Sequence, residues 1–100
     1  MPRYILQKST RKDKKWMIFS PDDKVIHFGA EGFSDFTDHG DERRQALYLA
    51  RHEKNELWTK AGIDTPGFWA RWLLWSKPSL NEAIKYVNTK FDIHIVRKRE

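Results

Sequence analysis

The segment between residues 35 and 41 has the highest density of side chains that could do chemistry. It contains Asp35, Asp38, His39 and Asp41. Carboxylates and an imidazole can bind a divalent metal or transfer protons. Their spacing, however, matches neither an EF-hand loop nor a helical zinc motif. Aspartates also cap turns and helix starts, and we favour this structural role. We therefore predict no metal, no cofactor and no catalytic residue here.

A second polar group follows on the helix predicted to start near Glu42. Positions 44, 48 and 52 recur at one-turn spacing and share a helix face. Asp35 or Asp38 could accept charge-assisted hydrogen bonds from Arg44, Arg51 or His52. These side chains are interpreted as a network that locks the loop to the helix or contacts a partner protein. The set comprises Asp35, Asp38, His39, Arg44, Tyr48, Arg51, His52 and, from the next helix, Arg71.

Basic side chains cluster around Trp16 at the first hairpin and recur at the end of the sequence. If the last strand pairs near the first two, these cations form one patch that could contact nucleic-acid phosphates. The alternative is a set of solvated loops and a basic tail. The candidate nucleic-acid contacts are Lys12, Lys14, Lys15, Arg97 and Arg99.

Residues 65–75, which read TPGFWARWLLW, predict a tryptophan-rich helix. Thr65 can cap it, Pro66 suits its first position, and Pro78 ends it. Large aromatic side chains of this kind bury about 150–250 Å² each. We expect most of these tryptophans in the core, the alternative being one or two exposed as a partner anchor. Arg71 suits either role because its guanidinium can stack on an indole.

The remaining pattern predicts a small sheet and two more helices. Strands are predicted at 3–8, 16–19, 24–28 and 91–96, the second and third joined by a turn at 20–23. A helix is predicted over 42–57, with Ala46, Leu47, Ala50 and Leu57 facing inward. Ser79 and Glu82 form a capping box at the start of the last helix. In the loop 29–40, Phe33 and Phe36 are expected to pin the segment to the core.

Composition places the chain among small globular domains. It has 100 residues, 19 basic and 14 acidic side chains, a net charge of +5 and no cysteine, which excludes disulfides and thiolate zinc sites. No signal peptide is visible, and no apolar run is long enough to span a membrane. We predict one α+β domain over residues 1–100, with 97–100 as a frayed basic tail. Its architecture is an antiparallel sheet of three to four strands packed against three helices, built around the tryptophan-rich helix.

Three motifs carry a family resemblance. They are G-F-S-D-F-T-x-H at 32–39, R-x-x-x-Y-x-x-R-H at 44–52 and W-T-K-x-G-I-D-T-x-G-F-W-x-R-W-L-L-W at 58–75. Over about residues 24–90 the chain resembles a family of small uncharacterised proteins of large double-stranded DNA viruses, algal-virus relatives among them. Pro66 departs from the small residue expected there. The resemblance implies a virion component or a DNA-associated factor, and it carries over no catalytic residue.

Three hypotheses about function follow. The first is a non-enzymatic viral structural or interaction protein, such as a minor capsid component. It would bind viral structural proteins in the virion or in the host cytoplasm, at the viral factory. The second is a nucleic-acid-binding module that uses the basic hairpin and tail. The third is a metal-dependent hydrolase centred on Asp35, Asp38 and His39.

Overall fold

The computed structural model describes residues 1–98 as an α+β domain, which confirms the predicted fold class. The sheet has four strands in the order β3-β2-β1-β4. The strands are β1 (Arg3–Lys8), β2 (Lys14–Phe19), β3 (Val25–Ala30) and β4 (His94–Arg97). The helices are α1 (Phe36–His39), α2 (Glu42–His52), α3 (Pro66–Trp69) and α4 (Leu80–Phe91). Between α2 and α3 lies a 3₁₀ turn, Lys60–Gly62.

The first three strands form the predicted antiparallel meander. Ile5 pairs with Phe19, and Phe19 pairs with Val25. The β2–β3 turn closes because the Ser20 hydroxyl accepts hydrogen bonds from the Asp22 and Lys24 N–H groups. Asp23 takes the left-handed conformation there, with φ of 62°. Short-range turn chemistry is therefore enough to specify this hairpin.

The fourth strand differs from the prediction in direction and extent. β4 joins the sheet parallel to β1, with Tyr4 opposite Ile95, so the sheet is mixed and not purely antiparallel. The reason is topological. Helix α4 directly precedes β4 in the sequence and packs across the sheet, so the chain crosses over the sheet before β4 begins. Such a crossover connection allows β4 to run parallel to β1. Arg97 pairs with Leu6, and the Lys98 N–H donates to the Leu6 carbonyl at 2.8 Å. The predicted tail 97–100 is therefore wrong for residues 97 and 98, while 99 and 100 lie outside the described residues.

The tryptophan-rich segment begins as an α-helix, as predicted, and then continues as a wider helix. The Thr65 hydroxyl accepts from the Phe68 N–H, and Pro66 occupies the first turn. Beyond Trp69 the chain continues as a π-helix over Ala70–Leu74. Such wide turns are uncommon. The 3.6-residue periodicity of the sequence predicted an ordinary α-helix here and not a π-helix.

The core lies between one face of the sheet and the helices α3 and α4. Its most deeply buried side chains are Leu6, Ile18, Phe28, Phe68, Trp69, Leu73, Leu74, Val87 and Ile93. Trp72 is buried too, whereas Trp16, Trp58 and Trp75 are partly exposed and pack against the core. The tryptophan-rich segment is thus the centre of the fold, as expected from its sequence.

Helix α2 turns a different face inward from the one predicted. Leu47 is 62% exposed, and Ala46 and Ala50 are exposed too. Within α2, all of which the structure describes, Tyr48 is the one buried residue. The helix also ends at His52 and does not reach residue 57. The predicted inner stripe of this helix was therefore wrong, and its aliphatic side chains face solvent.

In the part of the chain that the structure describes, we found no helix with the length and apolar character needed to cross a membrane.

Candidate functional site

A row of four rings, three of them stacked, fixes the inward face of α2. Tyr48 lies parallel to Trp75, with centroids 4.2 Å apart and an interplanar angle of 4°. His52 stacks on the other side of Tyr48 at 4.3 Å, and His39 lies 5.5 Å from Trp75. Aromatic pairing and the burial of Tyr48 favour this orientation over one that would bury Leu47. Burial, with a contribution from the charge of Glu56, raises the pKa of Tyr48, so its phenol stays protonated.

The side-chain amide of Gln45 adds a polar clamp. Its nitrogen donates to the carbonyls of Trp75, at 2.9 Å, and Ser76, at 3.3 Å. These carbonyls follow the π-helix, where the regular hydrogen-bond ladder has ended. Gln45 therefore satisfies backbone acceptors that the helix itself leaves free, and it ties α2 to the end of the tryptophan-rich segment.

The Asp-rich loop is locked by a lysine of the sheet. The expected donors to Asp35 and Asp38 were Arg44, Arg51 or His52. The donor is Lys15 of β2 instead, whose ammonium lies 2.7 Å from Asp35 and 3.2 Å from Asp38. Lys15 reaches them because the loop folds back from β3 over β2. Burial acts to lower the pKa of Lys15, but its bonds to the two carboxylates outweigh this and raise it.

Both predicted aspartates also cap the short helix α1. Asp35 accepts from the Thr37 N–H and hydroxyl, and Asp38 accepts from the Asp35 N–H. These reciprocal bonds form a capping box. His39 is bonded through one ring nitrogen: its Nδ1 accepts from the Asp41 N–H at 2.9 Å, whereas its buried Nε2 has no hydrogen-bond partner among the described residues. Each of the three residues has a structural partner in the loop.

No group of three or more His, Asp or Glu side chains within residues 1–98 is arranged to hold a metal ion. The hydrolase hypothesis would require such a group at Asp35, Asp38 and His39.

Replacing Lys15 with methionine is expected to destabilise the domain. Asp35 is only 4% exposed and would lose its counter-charge while keeping its two bonds from Thr37. A loss of about 1–3 kcal/mol in the free energy of unfolding is expected in urea titrations. The control is Lys24→Met, which breaks an exposed pair with Asp64 and should leave the midpoint almost unchanged. Equal effects from the two substitutions would contradict the role of Lys15.

Asp38 is expected to make the stability of the domain sensitive to acid. The Asp35 N–H, followed by the hydrogen bond and charge of Lys15, lowers the pKa of Asp38 below its ordinary value of 3.8. A carboxylate with a depressed pKa stabilises the fold above its unfolded pKa, and this contribution is lost as pH falls through the folded value. Asp38→Asn should therefore flatten the stability profile below about pH 4, as measured by urea unfolding between pH 2 and 7. A variant profile parallel to the wild type would contradict this.

A second node joins the end of α2 to α3. One oxygen of Glu56 lies 2.9 Å from His52 Nδ1, and the other accepts from Trp58 Nε1 at 2.9 Å. Gly67 of α3 packs directly on this carboxylate, because a Cβ there would lie 2.8 Å from Glu56 Cδ. His52 therefore bonds to Glu56, not to the Asp-rich loop.

Between these two attachments α2 stands away from the body, and a groove of about 570 Å³ opens beneath it. Small residues of β3, α3 and the π-helix form the floor, and α2 forms one wall. The floor includes Gly29, Ala30, Pro66, Gly67, Ala70 and Leu74. Arg44, Leu47, Tyr48, Arg51 and His52 line the α2 side. Phe33, Lys14 and Asp35 also border the groove, so five of the predicted partner-contact residues, Asp35, Arg44, Tyr48, Arg51 and His52, meet in one concave surface.

Phe33 corrects another expectation. It was predicted to pin the loop, yet it is 73% exposed, whereas Phe36 is buried as expected. Phe36 is buried at the start of α1, whereas Phe33, on the preceding turn, borders the groove. An exposed phenylalanine beside an exposed leucine is typical of a recognition surface.

The predicted basic patch is partly assembled at the end of the sheet where β1 ends and β2 begins, close to the groove. Lys8 pairs with Trp16 across β1 and β2, and the Arg97 guanidinium lies 5.3 Å from the Trp16 ring centroid. Lys12 is exposed in the β1–β2 turn. Lys14 borders the groove instead, and Lys15 is engaged by Asp35 and Asp38. Arg99 lies outside the described residues.

Arg71 stacks on indole rings, as the sequence suggested. Its guanidinium lies 4.2 Å from the Trp72 ring centroid and 5.3 Å from that of Trp58. Burial lowers the pKa of Arg71. Because the side chain is half-buried between rings and lies outside the groove lining, it acts as part of the packing around the tryptophan-rich segment.

Residues 4–52 match the model of a family of unknown function (DUF5754). The match covers just under half of the chain, from β1 to the end of α2, so it includes the Asp-rich loop and the α2 wall but not the tryptophan-rich segment. No curated protein and no solved structure matches the chain.

Sequence reasoning missed several residues of the groove. Leu47 was assigned to the core, and Phe33 was expected to be buried. Glu56 carried no signal, because its partners His52 and Trp58 meet it only when the chain turns after α2. The signal available in the sequence was the position of Tyr48, a large aromatic residue within a stripe of polar residues on α2. Such a residue is unusual on a helix face that points to solvent.

Proposed function

We propose that this chain is a non-enzymatic interaction protein whose groove beneath α2 docks a partner protein. The observation that carries the proposal is the concave surface itself, bordered by Phe33 and Leu47, which are 73% and 62% exposed. Large apolar side chains around a concavity favour protein recognition, because their burial on binding releases surface from water. Among the polar groups in the groove lining that could serve catalysis, Asp35, His52 and Glu56 are each engaged in structural bonds.

We further propose that the partner is a viral structural protein and that the chain is a minor capsid or other virion-associated component. The support for this part is the resemblance of the motifs at 32–39, 44–52 and 58–75 to proteins of large DNA viruses. The expected location is the virion or the cytoplasmic factory in which particles assemble. Mass spectrometry of purified particles of the encoding virus should detect the chain, and its absence from them would remove this assignment.

Photocrosslinking tests the groove directly. A photoreactive amino acid placed at position 47 should give an adduct with a structural protein of the particle in infected cells. The matched control is position 89 on α4, where Thr89 is exposed and outside the groove lining. Adducts of equal yield from both positions, or none from position 47, would contradict docking in the groove.

Nucleic-acid binding is a second candidate, favoured by the juxtaposition of Lys8, Trp16 and Arg97. Cations beside an aromatic ring could contact phosphates and stack a base. Binding to single-stranded DNA should then weaken with rising salt, because phosphate contacts release counterions. Arg97→Gln should reduce the salt slope, whereas Lys85→Gln on α4 should not. Absence of binding at low salt would exclude this candidate.

A further inference from the structure

The groove carries positive charge that the domain's own carboxylates do not neutralise, and this charge indicates the chemistry of its occupant. Arg44 and Arg51 line it, and no carboxylate within the described residues 1–98 lies within salt-bridge distance of either. Lys14 borders the same surface. Both guanidiniums therefore remain available to a ligand, and guanidinium is well suited to bind carboxylates through two parallel hydrogen bonds.

The carboxylates of the groove do not offset these charges. Both oxygens of Asp35 are occupied, one by Thr37 and the other by Lys15. Both oxygens of Glu56 are occupied as well, by His52 and Trp58. An incoming anion would therefore meet free cations on α2, while each acidic group of the lining is already bonded within the domain.

The apolar contacts alternate with the charges along α2. Leu47 lies one turn beyond Arg44 and one turn before Arg51, so the wall presents cation, apolar side chain and cation in succession. Arg44 and Arg51 are two turns apart, a rise of about 10 Å at 1.5 Å per residue. Phe33 stands at the rim, 73% exposed, and provides a second apolar contact.

We infer that the groove binds a short amphipathic helix of a partner protein that carries acidic residues two turns apart with an apolar residue between them. The two carboxylates pair with Arg44 and Arg51, and the apolar side chain packs against Leu47 and Phe33. A helix matches the two-turn spacing of the arginines, and helix-in-groove docking uses anchors of this spacing. This inference rests on the proposed function and adds the chemical class of the partner.

The test uses synthetic helical peptides and the whole protein. The probe peptide carries Glu, Leu and Glu at positions i, i+4 and i+7 of an alanine-rich helix, and a matched peptide has both Glu replaced by Gln. Isothermal calorimetry should show the Glu peptide binding at least about tenfold more tightly than the Gln peptide, because charge-assisted bonds are lost in the latter. Equal affinities, or no binding of either peptide, would overturn the inference.

Charge reversal supplies a second, independent readout. The double variant Arg44→Glu/Arg51→Glu should lose binding of the Glu peptide and gain binding of a peptide with Lys at both positions. The control is Arg43→Glu/Lys54→Glu, which changes the net charge equally at exposed positions outside the groove lining. The control variant should bind the Glu peptide with unchanged affinity. A similar loss in both double variants would mean that net charge, not the groove, attracts the peptide, and would overturn the inference.

Two further outcomes separate this inference from the proposed function. If position 47 crosslinks to a structural protein but the Glu peptide does not bind, the helix chemistry is wrong and the docking groove stands. A single-stranded oligonucleotide could displace the bound peptide and itself fail to bind the Arg44→Glu/Arg51→Glu variant. In that case the groove is a phosphate site and the inference is overturned. Circular dichroism of each variant checks that the fold is intact.

Discussion

Replacing Trp69 with alanine is expected to lower the free energy of unfolding by about 3–5 kcal/mol. The side chain is completely buried and packs on Tyr4 at 5.3 Å and Phe68 at 4.9 Å between ring centroids. Its indole N–H donates to the Ile63 carbonyl at 2.7 Å. Truncation would leave a large cavity and would remove the donor of the part-buried Ile63 carbonyl. For a domain of this size the substitution could remove a large part of its total stability.

Guanidinium unfolding followed by far-ultraviolet circular dichroism measures this effect without relying on tryptophan fluorescence. Trp69→Phe should give an intermediate loss, because it keeps most of the packing but leaves the Ile63 carbonyl without its donor. Phe33→Ala is the matched control: it also removes an aromatic ring, but one that is 73% exposed, and it should change stability by less than about 0.5 kcal/mol. A Trp69→Ala loss as small as that of Phe33→Ala would contradict the placement of Trp69 at the centre of the core.

Gly62→Ala is expected to lower the free energy of unfolding by about 3 kcal/mol for a different reason, the overlap of atoms. A Cβ at position 62 would lie 2.1 Å from the Leu57 carbonyl oxygen and 3.0 Å from the Leu57 carbonyl carbon. The backbone cannot yield easily, because the Gly62 carbonyl accepts from both the N–H and the hydroxyl of Thr65. Any shift would therefore disturb the cap of the tryptophan-rich segment.

Gly32→Ala provides the comparison that isolates this collision. Gly32 has a φ of +88°, but a Cβ there meets no atom within 4 Å. Its substitution should cost about 1 kcal/mol of backbone strain without overlap. The midpoint temperature of thermal unfolding should therefore be well below that of Gly32→Ala in the Gly62→Ala variant. The reverse order would contradict the close approach of residues 57 and 62.

Local signals in the sequence predicted the starts of helices well. Asp41, Thr65 and Ser79 each cap the helix that the sequence indicated. The β2–β3 hairpin followed from its turn residues for the same reason. In each case the determining atoms lie within a few residues of one another, so they can be recognised without knowledge of the fold.

Long-range choices were not predictable in this way. Helix α2 has an aliphatic and an aromatic stripe, and the choice between Leu47 and Tyr48 depends on Trp75, which lies far along the chain. The selection of Lys15 as the partner of Asp35 depends on how the loop crosses β2. Because these contacts exist only in the assembled domain, the face of α2 and much of the groove had to be seen in the structure.

The parallel pairing of β1 and β4 has a consequence for synthesis on the ribosome. β1 is an interior strand whose two neighbours are β2, made next, and β4, made after all the helices. While the polypeptide is still emerging, one edge of β1 has no neighbour, and the unpaired edge of a strand can recruit another chain. Contacts between distant segments also form late, since the intervening chain must first be ordered. This edge of β1 is therefore expected to stay unpaired until residues 94–97 leave the exit tunnel.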